Sequence, residues 1–398
     1  VRASAFLYPW DVVGDPAAPD RVARLGVQQV TLAAAYHSTR ALTPRHPRHR
    51  IVTAEHSAVL YPPDEARWSG RALRPYAQHW VLGEDPYGEA AAALAGAGLE
   101  VHSWVVLAHN SRLGADHPDT SVRNAYGDRY PWAPCVARPE VREYVVALAA
   151  EAAVRPGARG AELESCGWYG LAHLHAHDKI AGVALGGAGQ YLMSLCFCEV
   201  CREGYAAAGA DPERLRGAVQ RALEPLWSGR SEPGPGDRAG EWAEVEKLLG
   251  ADLAGATRAW RDDVARGLQE AAVAAVRAAA GPDFRVLLHA DPAAHRCGAN
   301  AGVDPAGLLA HADGAVVPCT GPEAERAAVL APFAERLGER ATLAANFIVV
   351  SGMGGSPATL AADARHARSL GANELRLYHA GLASDGDLEA ARRALAEL

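Results

Sequence analysis

The chain has 398 residues, 49% of them hydrophobic, and a formal charge of −8 from 39 Lys+Arg against 47 Asp+Glu. The apolar content excludes global disorder, and the length accommodates a barrel of about 250 residues with long insertions. The acidic balance argues against a nucleic-acid partner, which would want a basic face.

Short apolar runs alternate with Ala-rich helical stretches along the chain. The pattern predicts strands at Ala5–Val12, Gln29–Ala35, Glu100–Ala108, Gly160–Ser165, Arg285–Ala290, Gly314–Cys319, Thr342–Val349 and Glu374–Tyr378. Helices are predicted between them at Gly88–Ala97, Glu140–Ala153, Glu241–Ala280, Pro322–Leu337, Leu360–Leu370 and Gly386–Leu398. Strand–helix alternation of this kind gives a parallel sheet, and eight strands of it suggest an α/β fold of the (β/α)8 TIM-barrel type. A doubly wound sheet is the runner-up, but no glycine-rich phosphate loop follows any strand. The connections after strands two, three and four are long, running from His37 to about Gly83, His109 to about Arg138 and Cys166 to about Leu195. Being consecutive, they would form one wall of the barrel mouth. Residues 202–281 read as a helical insertion inside one barrel domain, with Ser228–Gly240 as a flexible connector between helices Glu203–Trp227 and Glu241–Ala280.

No apolar run approaches the ~18 residues of a membrane span. The opening Val1–Trp10 lacks the basic region and apolar run of a signal peptide. Of seven cysteines, Cys196, Cys198 and Cys201 cluster in Leu-Cys-Phe-Cys-Glu-Val-Cys-Arg, which suits metal ligation better than a disulfide framework. A cytoplasmic, reducing setting without membrane contact is expected. Cys135 upstream would complete four thiolates for a closed structural zinc site with no open position for chemistry. Cys166, Cys297 and Cys319 read as small buried apolar residues.

The fourth strand carries Gly-Ala-Glu-Leu-Glu-Ser. Side chains alternate along a strand, so Glu162 and Glu164 share a face, which in a barrel is the interior. Two carboxylates in one desolvated site repel, so one should hold its proton near neutral pH, as glycoside cleavage requires of its acid. The alternative for either glutamate is a structural ion pair with an arginine.

Most of the 16 histidines fall at predicted strand ends or in strand-to-helix loops. His37, His109 with Asn110, His289 with Asp291, and His379 beside Tyr378 are candidates to bind sugar hydroxyls. The run His173, His175, His177 could bind substrate or a metal; in a helix, His173 and His177 would share a face. Trp10, Tyr36, Trp104, Trp132, Trp168, Tyr169 and Tyr378 also lie near strand ends or in mouth loops. Their rings offer stacking faces for a carbohydrate, with core packing as the alternative.

The order Cys135-x-x-x-Pro139-Glu140-x-Arg142-x-Tyr144, then a strand ending in Glu164, then Cys196-x-Cys198-x-x-Cys201-Arg202 resembles the family 42 β-galactosidases and related barrel glycosidases. The resemblance covers roughly residues 124–205. It implies a structural zinc on Cys135, Cys196, Cys198 and Cys201, and Glu164 as general acid/base. That family ends its seventh strand in a nucleophilic Glu. Here the strand reads Leu-Ala-Ala-Asn-Phe-Ile-Val-Val-Ser-Gly, without a carboxylate. The Glu-x-Glu pair is also similar in layout to the acidic fourth-strand motif of chitinase-like barrels, where a substrate amide is the nucleophile.

The expectation is a glycoside hydrolase-like enzyme with Glu164, Glu162 and Asp291 as catalytic candidates, Asp291 or Asp11 supplying a second carboxylate. Trp10, Asp11, Tyr36, His37, His109, Asn110, His173, His177, His289, Tyr378 and His379 would bind the sugar. The alternatives are a metal-dependent sugar isomerase, epimerase or lyase on the same barrel, and a non-catalytic carbohydrate-binding barrel. The partner is a small carbohydrate or glycoside, and a homo-oligomer is allowed.

Overall fold

In the computed structural model, residues 1–398 are described except 174–177, 231–233 and 235. His175 and His177 lie outside the described residues.

Eight parallel strands form the barrel: β1 (Arg2–Leu7), β2 (Gln29–Tyr36), β3 (Glu100–Val106), β4 (Ala158–Glu164), β5 (Arg285–Asp291), β6 (Gly314–Pro318), β7 (Thr342–Ile348) and β8 (Glu374–Tyr378). Each pairs with its neighbours in chain order, and β1 pairs with both β8 and β2, which closes the sheet. Closure excludes the doubly wound alternative and leaves no open edge. The predicted strands match these in order and, apart from the first, nearly in extent.

The first differs. Strand Ala5–Val12 was expected, whereas β1 ends at Leu7 and Pro9–Asp11 form a 3-10 turn. Pro9 fixes φ and has no N–H for a ladder, and the Asp11 carboxylate accepts the Tyr8 N–H at 2.8 Å, turning the chain. The expected helix Glu241–Ala280 is two helices, Arg238–Leu249 and Ala251–Ala280, broken at Gly250, whose φ of 81° suits glycine. The first begins earlier than expected, inside the predicted connector, because the Asp237 side chain accepts the Gly240 N–H and caps it.

Among the described residues, the insertion between β4 and β5 holds five α-helices: Gly186–Met193, Glu199–Ala207, Pro212–Trp227, Arg238–Leu249 and Ala251–Ala280. The long loops also carry short strands that sequence patterning missed, including the hairpins Thr39–Leu42 with Ile51–Ala54 and Ser121–Arg123 with Arg129–Pro134. Most of these strands have two to four residues, too few periods to register as alternation, and the six of Arg129–Pro134 include two prolines. Among the described residues, no helix is long and apolar enough to cross a membrane.

The barrel interior is polar in its middle layer. Glu162 accepts from Arg376 Nε at 2.5 Å, from Thr31 Oγ1 at 3.2 Å, and contacts His289 Nε2 at 3.2 Å. Arg376 Nη1 also donates to Glu374 at 3.0 Å, and Glu374 accepts from Arg285 at 2.8 Å. Glu162 and Arg376 are both 0% exposed. Burial alone would raise the Glu162 pKa, but Arg376 and His289 hold it at about 2. Beside these polar groups Leu287, Val316 and Ala344 pack into a small apolar cluster, Leu287 in register with Glu162 and Val316 with His289.

Removing one partner of a buried pair strands the other charge, which costs about 3–5 kcal/mol. Arg376→Met should lower the urea midpoint by that much free energy, and Glu162→Met/Arg376→Met should recover most of the loss. The Glu162 pKa is depressed when folded, so this contribution is present above the ordinary glutamate range and is lost as pH falls toward about 2. Acid titration of wild type against the double variant measures it: the midpoint should move to lower pH in the double variant.

Candidate active site

Glu164 ends β4, two residues above Glu162 on the same inward face. Its side chain is 12% exposed, enough to meet a ligand at the mouth. Trp104 Nε1 donates to Glu164 Oε2 at 2.7 Å, and His289 Nδ1 lies 3.8 Å from the same oxygen. Burial pushes the Glu164 pKa above the usual carboxyl range, and the Glu162 charge adds to the rise against the opposing pull of His289 and Trp104. So the two glutamates do diverge: desolvation pushes both up, more than their mutual repulsion does, and Arg376 brings Glu162 alone down. Ser165, immediately after Glu164, has a φ of 55°, a left-handed conformation costing a non-glycine residue about 1–3 kcal/mol. Its N–H is held by Ala299 O at 2.8 Å, so the loop after β5 fixes the exit of β4.

Aromatic rings surround the acid. Phe6 packs edge-on against Trp104 at 4.8 Å and against Tyr378 at 5.4 Å. Tyr36 meets Trp104 edge-on at 4.7 Å, and its hydroxyl lies 3.5 Å from that of Tyr378. Tyr8, Tyr36 and Tyr378 interact through their hydroxyls, and burial lifts all three pKa values, that of Tyr378 to about 12. They are hydroxyl groups at any working pH. From Tyr36 the wall continues through His37 at 4.2 Å, His109 a further 4.5 Å on, and Tyr169 at 4.2 Å from His109. His173 stands edge-on to His109 at 5.8 Å. Burial lowers the pKa of His37 to about 4 and that of His109 to about 2, so this wall is neutral.

Other sequence candidates sit apart from the acid. Trp10 is 1% exposed and stacks behind Tyr8 at 4.3 Å. Asp11 lies beneath Gly381, near Arg45; burial raises its pKa to about 7. His379 is fully buried, stacked on Tyr8 at 4.2 Å, and accepts the Gly381 N–H at 3.2 Å. Asn110 caps the helix Ser111–Asp116, accepting the Leu113 N–H at 3.0 Å. Asp291 ends β5 and is gripped by Arg238, Nε to Oδ1 at 2.8 Å and Nη2 to Oδ2 at 2.7 Å. Arg296 lies 3.5 Å from Asp291 and 2.5 Å from Glu241, which also takes His295 Nε2 at 2.9 Å. This network lines a polar cleft of about 630 Å³ between the insertion and the loops after β5 and β6.

Arg376 was missed. The run Glu374-Leu-Arg376-Leu-Tyr378 alternates with period two, so its inward arginine was visible as a partner for an inward glutamate. Arg238 had no such signal, because it reaches Asp291 from a separate helix.

The sulfurs of Cys135, Cys196, Cys198 and Cys201 all lie within 4.8 Å of one another, and all four residues are buried. Cys135 Sγ is 3.7 Å from Cys198 Sγ and 3.6 Å from Cys201 Sγ. A disulfide needs about 2.05 Å. The edge of a tetrahedron with metal–sulfur bonds of about 2.3 Å is about 3.8 Å. Backbone N–H groups of Arg123 and Cys198 point at Cys196 Sγ from 3.4 and 3.5 Å. The quartet can coordinate a metal ion. Cys135 follows the Arg129–Pro134 strand and Cys198 caps the helix Glu199–Ala207, so an ion there joins the loop after β3 to the insertion.

No protein-family model matches the chain, and no curated protein does. Solved structures match over the whole chain. The α-L-fucosidase isoenzyme 2 from Paenibacillus thiaminolyticus has a TM-score of 0.59 at 12% identity, covering 100% of this chain and 49% of the fucosidase. The catalytic domain of β-amylase from Paenibacillus polymyxa gives 0.57 at 13%, covering 99% of this chain and 97% of that one. A β-galactosidase from the psychrophilic Marinomonas ef1 gives 0.52 at 11%, covering 100% and 59%. The chain thus spans about half the fucosidase and under two thirds of the β-galactosidase. At these identities the likeness is one of fold, a TIM barrel of the kind several glycoside hydrolases use.

If the quartet holds an ion, elemental analysis of purified wild type should return about one metal per chain, and Cys201→Ser should return close to none. Loss of the ion should also lower Tm sharply, since metal affinity here is folding free energy. Equal metal content in both proteins would place the ion elsewhere.

Proposed function

We propose that the chain is a glycoside hydrolase-like enzyme in which Glu164 is the general acid. One observation carries the reading: a buried carboxyl with a raised pKa, at the end of β4, in a mouth walled by aromatic rings. Trp104 donates to Oε2, so Oε2 is an acceptor and the acid proton sits on Oε1, the oxygen left for a leaving group. Glu162 is the orienting anion rather than a second acid. Ionised, it only accepts, so His289 presents N–H at Nε2 to it, which fixes the ring beside Glu164. The neutral phenols and imidazoles suit an uncharged sugar, with hydroxyls for hydrogen bonds and faces for stacking.

Among the described residues, the other carboxylates considered for catalysis are engaged: Glu162 by Arg376, Asp291 by Arg238, Asp11 by the Tyr8 N–H. The attacking group is then water or a group on the substrate. The four cysteines would hold a structural zinc, as the resemblance to family 42 β-galactosidases implies, and their closed sulfur set leaves that ion outside the chemistry. None of the seven cysteines is in a disulfide, which supports a reducing compartment such as the cytoplasm. The acids and histidines proposed for a metal-dependent isomerase form no metal-sized cluster among the described residues, so the glycosidase reading is favoured. The engaged carboxylates favour one second reading, a carbohydrate-binding barrel without turnover.

A panel of aryl glycosides separates the two. Cleavage that falls by about 10²–10⁴ in kcat for Glu164→Gln, least for the best leaving groups, supports the acid. Full activity in that variant removes Glu164 from the role. Activity of wild type should fall as pH rises through the elevated Glu164 pKa, because the proton to be donated is lost there. Sugar binding with no turnover across the panel would establish the binding reading.

A further inference from the structure

Arg261, on the helix Ala251–Ala280, is 2% exposed. Among the described residues no carboxylate pairs with it, and the groups that stabilise its charge are Cys297, Tyr191 and Tyr205. Neighbouring Asp262 is ion-paired with Arg258 at 3.3 Å and feels the Arg261 charge only at longer range. The guanidinium lies 4.7 Å from the Trp168 ring and 5.1 Å from the Tyr191 ring, and Nη1 donates to Ser194 O at 2.9 Å. Its Nε has no partner. Its Nη2 is directed at Cys297 Sγ from 2.9 Å. A buried cation without an anion is expensive, and an arginine cannot discharge itself by losing a proton. The one soft, ionisable atom it touches is that sulfur.

Cys297 is the half-buried cysteine of the seven; the other six are buried. It lines the cleft of about 630 Å³ beside Ser194 and His295. Among the described residues, the other titratable groups around it are Tyr191 from the helix Gly186–Met193, His295, which is held by Glu241 at 2.9 Å, and across the cleft His173, Asp291, Arg238 and Arg296, with Asp262 on the far side of Arg261. A thiol with a buried guanidinium behind it that has no salt-bridged carboxylate, and an open cleft in front, has what a reactive cysteine needs.

We propose that Cys297 is a modification site, a nucleophilic thiol whose developing negative charge Arg261 supports and whose co-reactant is a small hydroperoxide entering the cleft. The sulfur attacks the distal peroxide oxygen, an S–O bond forms and the O–O bond breaks. The departing oxygen takes the proton given up by the thiol and leaves as water or an alcohol. Sulfur is oxidised by two electrons to a sulfenic acid, and the peroxide is reduced by two. The added oxygen projects into the cleft beside Arg238 and Arg296 and narrows it. The site does not depend on the barrel being a glycosidase.

Accessibility alone would make Cys297 the first thiol to react, so the test must separate access from charge. Alkylation of the full chain by iodoacetamide, mapped by mass spectrometry, is followed at about pH 6.5 and about pH 9.5, beside N-acetylcysteine. At the higher pH the rate reports access; the ratio of the two rates reports support of the anion. The Cys297 ratio should exceed that of N-acetylcysteine by about tenfold or more, and hydrogen peroxide followed by dimedone should mark Cys297. Arg261→Met should bring the ratio down to that of N-acetylcysteine, and Arg261→Lys should retain part of the excess. A wild-type ratio equal to that of N-acetylcysteine overturns the proposal, and this measurement stands even if Arg261→Met fails to fold.

Discussion

The protonation pattern of the barrel mouth traces back to the Arg376 guanidinium at the barrel centre. Its Nε on Glu162 Oε1, with Thr31 beside it, keeps that fully buried carboxylate ionised against a large desolvation penalty. An ionised Glu162 can only accept, so the hydrogen of His289 that it meets is on Nε2, while Nδ1 of the same ring stands 3.8 Å from Glu164. Glu164 sits above that negative charge in a desolvated mouth, and burial first and the Glu162 charge second push its pKa up. Two glutamates on one strand face are shifted in opposite directions because one arginine reaches the lower and none reaches the upper. Each unit of pKa separation is about 1.4 kcal/mol of differential interaction. The chain Arg285–Glu374–Arg376–Glu162 repeats that logic downward: each charge is compensated by the next, and the last anion is left with only a histidine above it.

Around this axis the long loops need anchoring, since residues without regular structure bury little apolar surface of their own. Two devices provide it. The cysteine quartet joins the loop after β3 to the helix Glu199–Ala207 at its N-terminus. The Arg238–Asp291 and Arg296–Glu241 pairs join the later helix of the insertion to the end of β5. Between them the insertion is held on both sides of the β4 exit, where Ser165 sits at positive φ and the Ala299 carbonyl holds its N–H. That strained turn can persist only because the surroundings determine it, and it aims Glu164 at the mouth.

The alternation of apolar runs with helical stretches made the barrel legible: every barrel strand from β2 to β8 could be read from its run, and period two within the fourth showed the shared inward face of Glu162 and Glu164. The cysteine spacing made the metal quartet legible for the same reason, because ligation geometry constrains local sequence. What stayed hidden depends on contacts distant in sequence. The fate of Glu162 was set by Arg376, 214 residues away, and that of Asp291 by Arg238, 53 residues away. Alternation gives the direction of a side chain but not the element that will face it. Trp10, Asp11 and His379 were read as mouth residues because they follow strands, yet the Pro9 turn and the packing of Gly381 over Asp11 fold them behind Tyr8. Proximity to a strand end places a residue near the mouth in sequence; which layer it occupies is decided by steric fit.

The same geometry bears on the proposed reaction. β7 brings Asn346, half-exposed, to its C-terminal end, and the strand carries no carboxylate. The mouth therefore has from β7 neither an electron pair for attack nor a negative charge to stabilise an oxocarbenium-like transition state. It also lacks from β7 a like charge that would raise the Glu164 pKa further. In the proposed reaction, a mouth with one acid of raised pKa, the neutral imidazoles of His37 and His109 and the phenols is matched to donating a proton, which is worth about 10²–10⁴ in rate. On the proposed reading, the remaining transition-state stabilisation must come from the sugar's own substituents or from positioned water, so the substrate is selected as much by what it brings as by what the walls recognise.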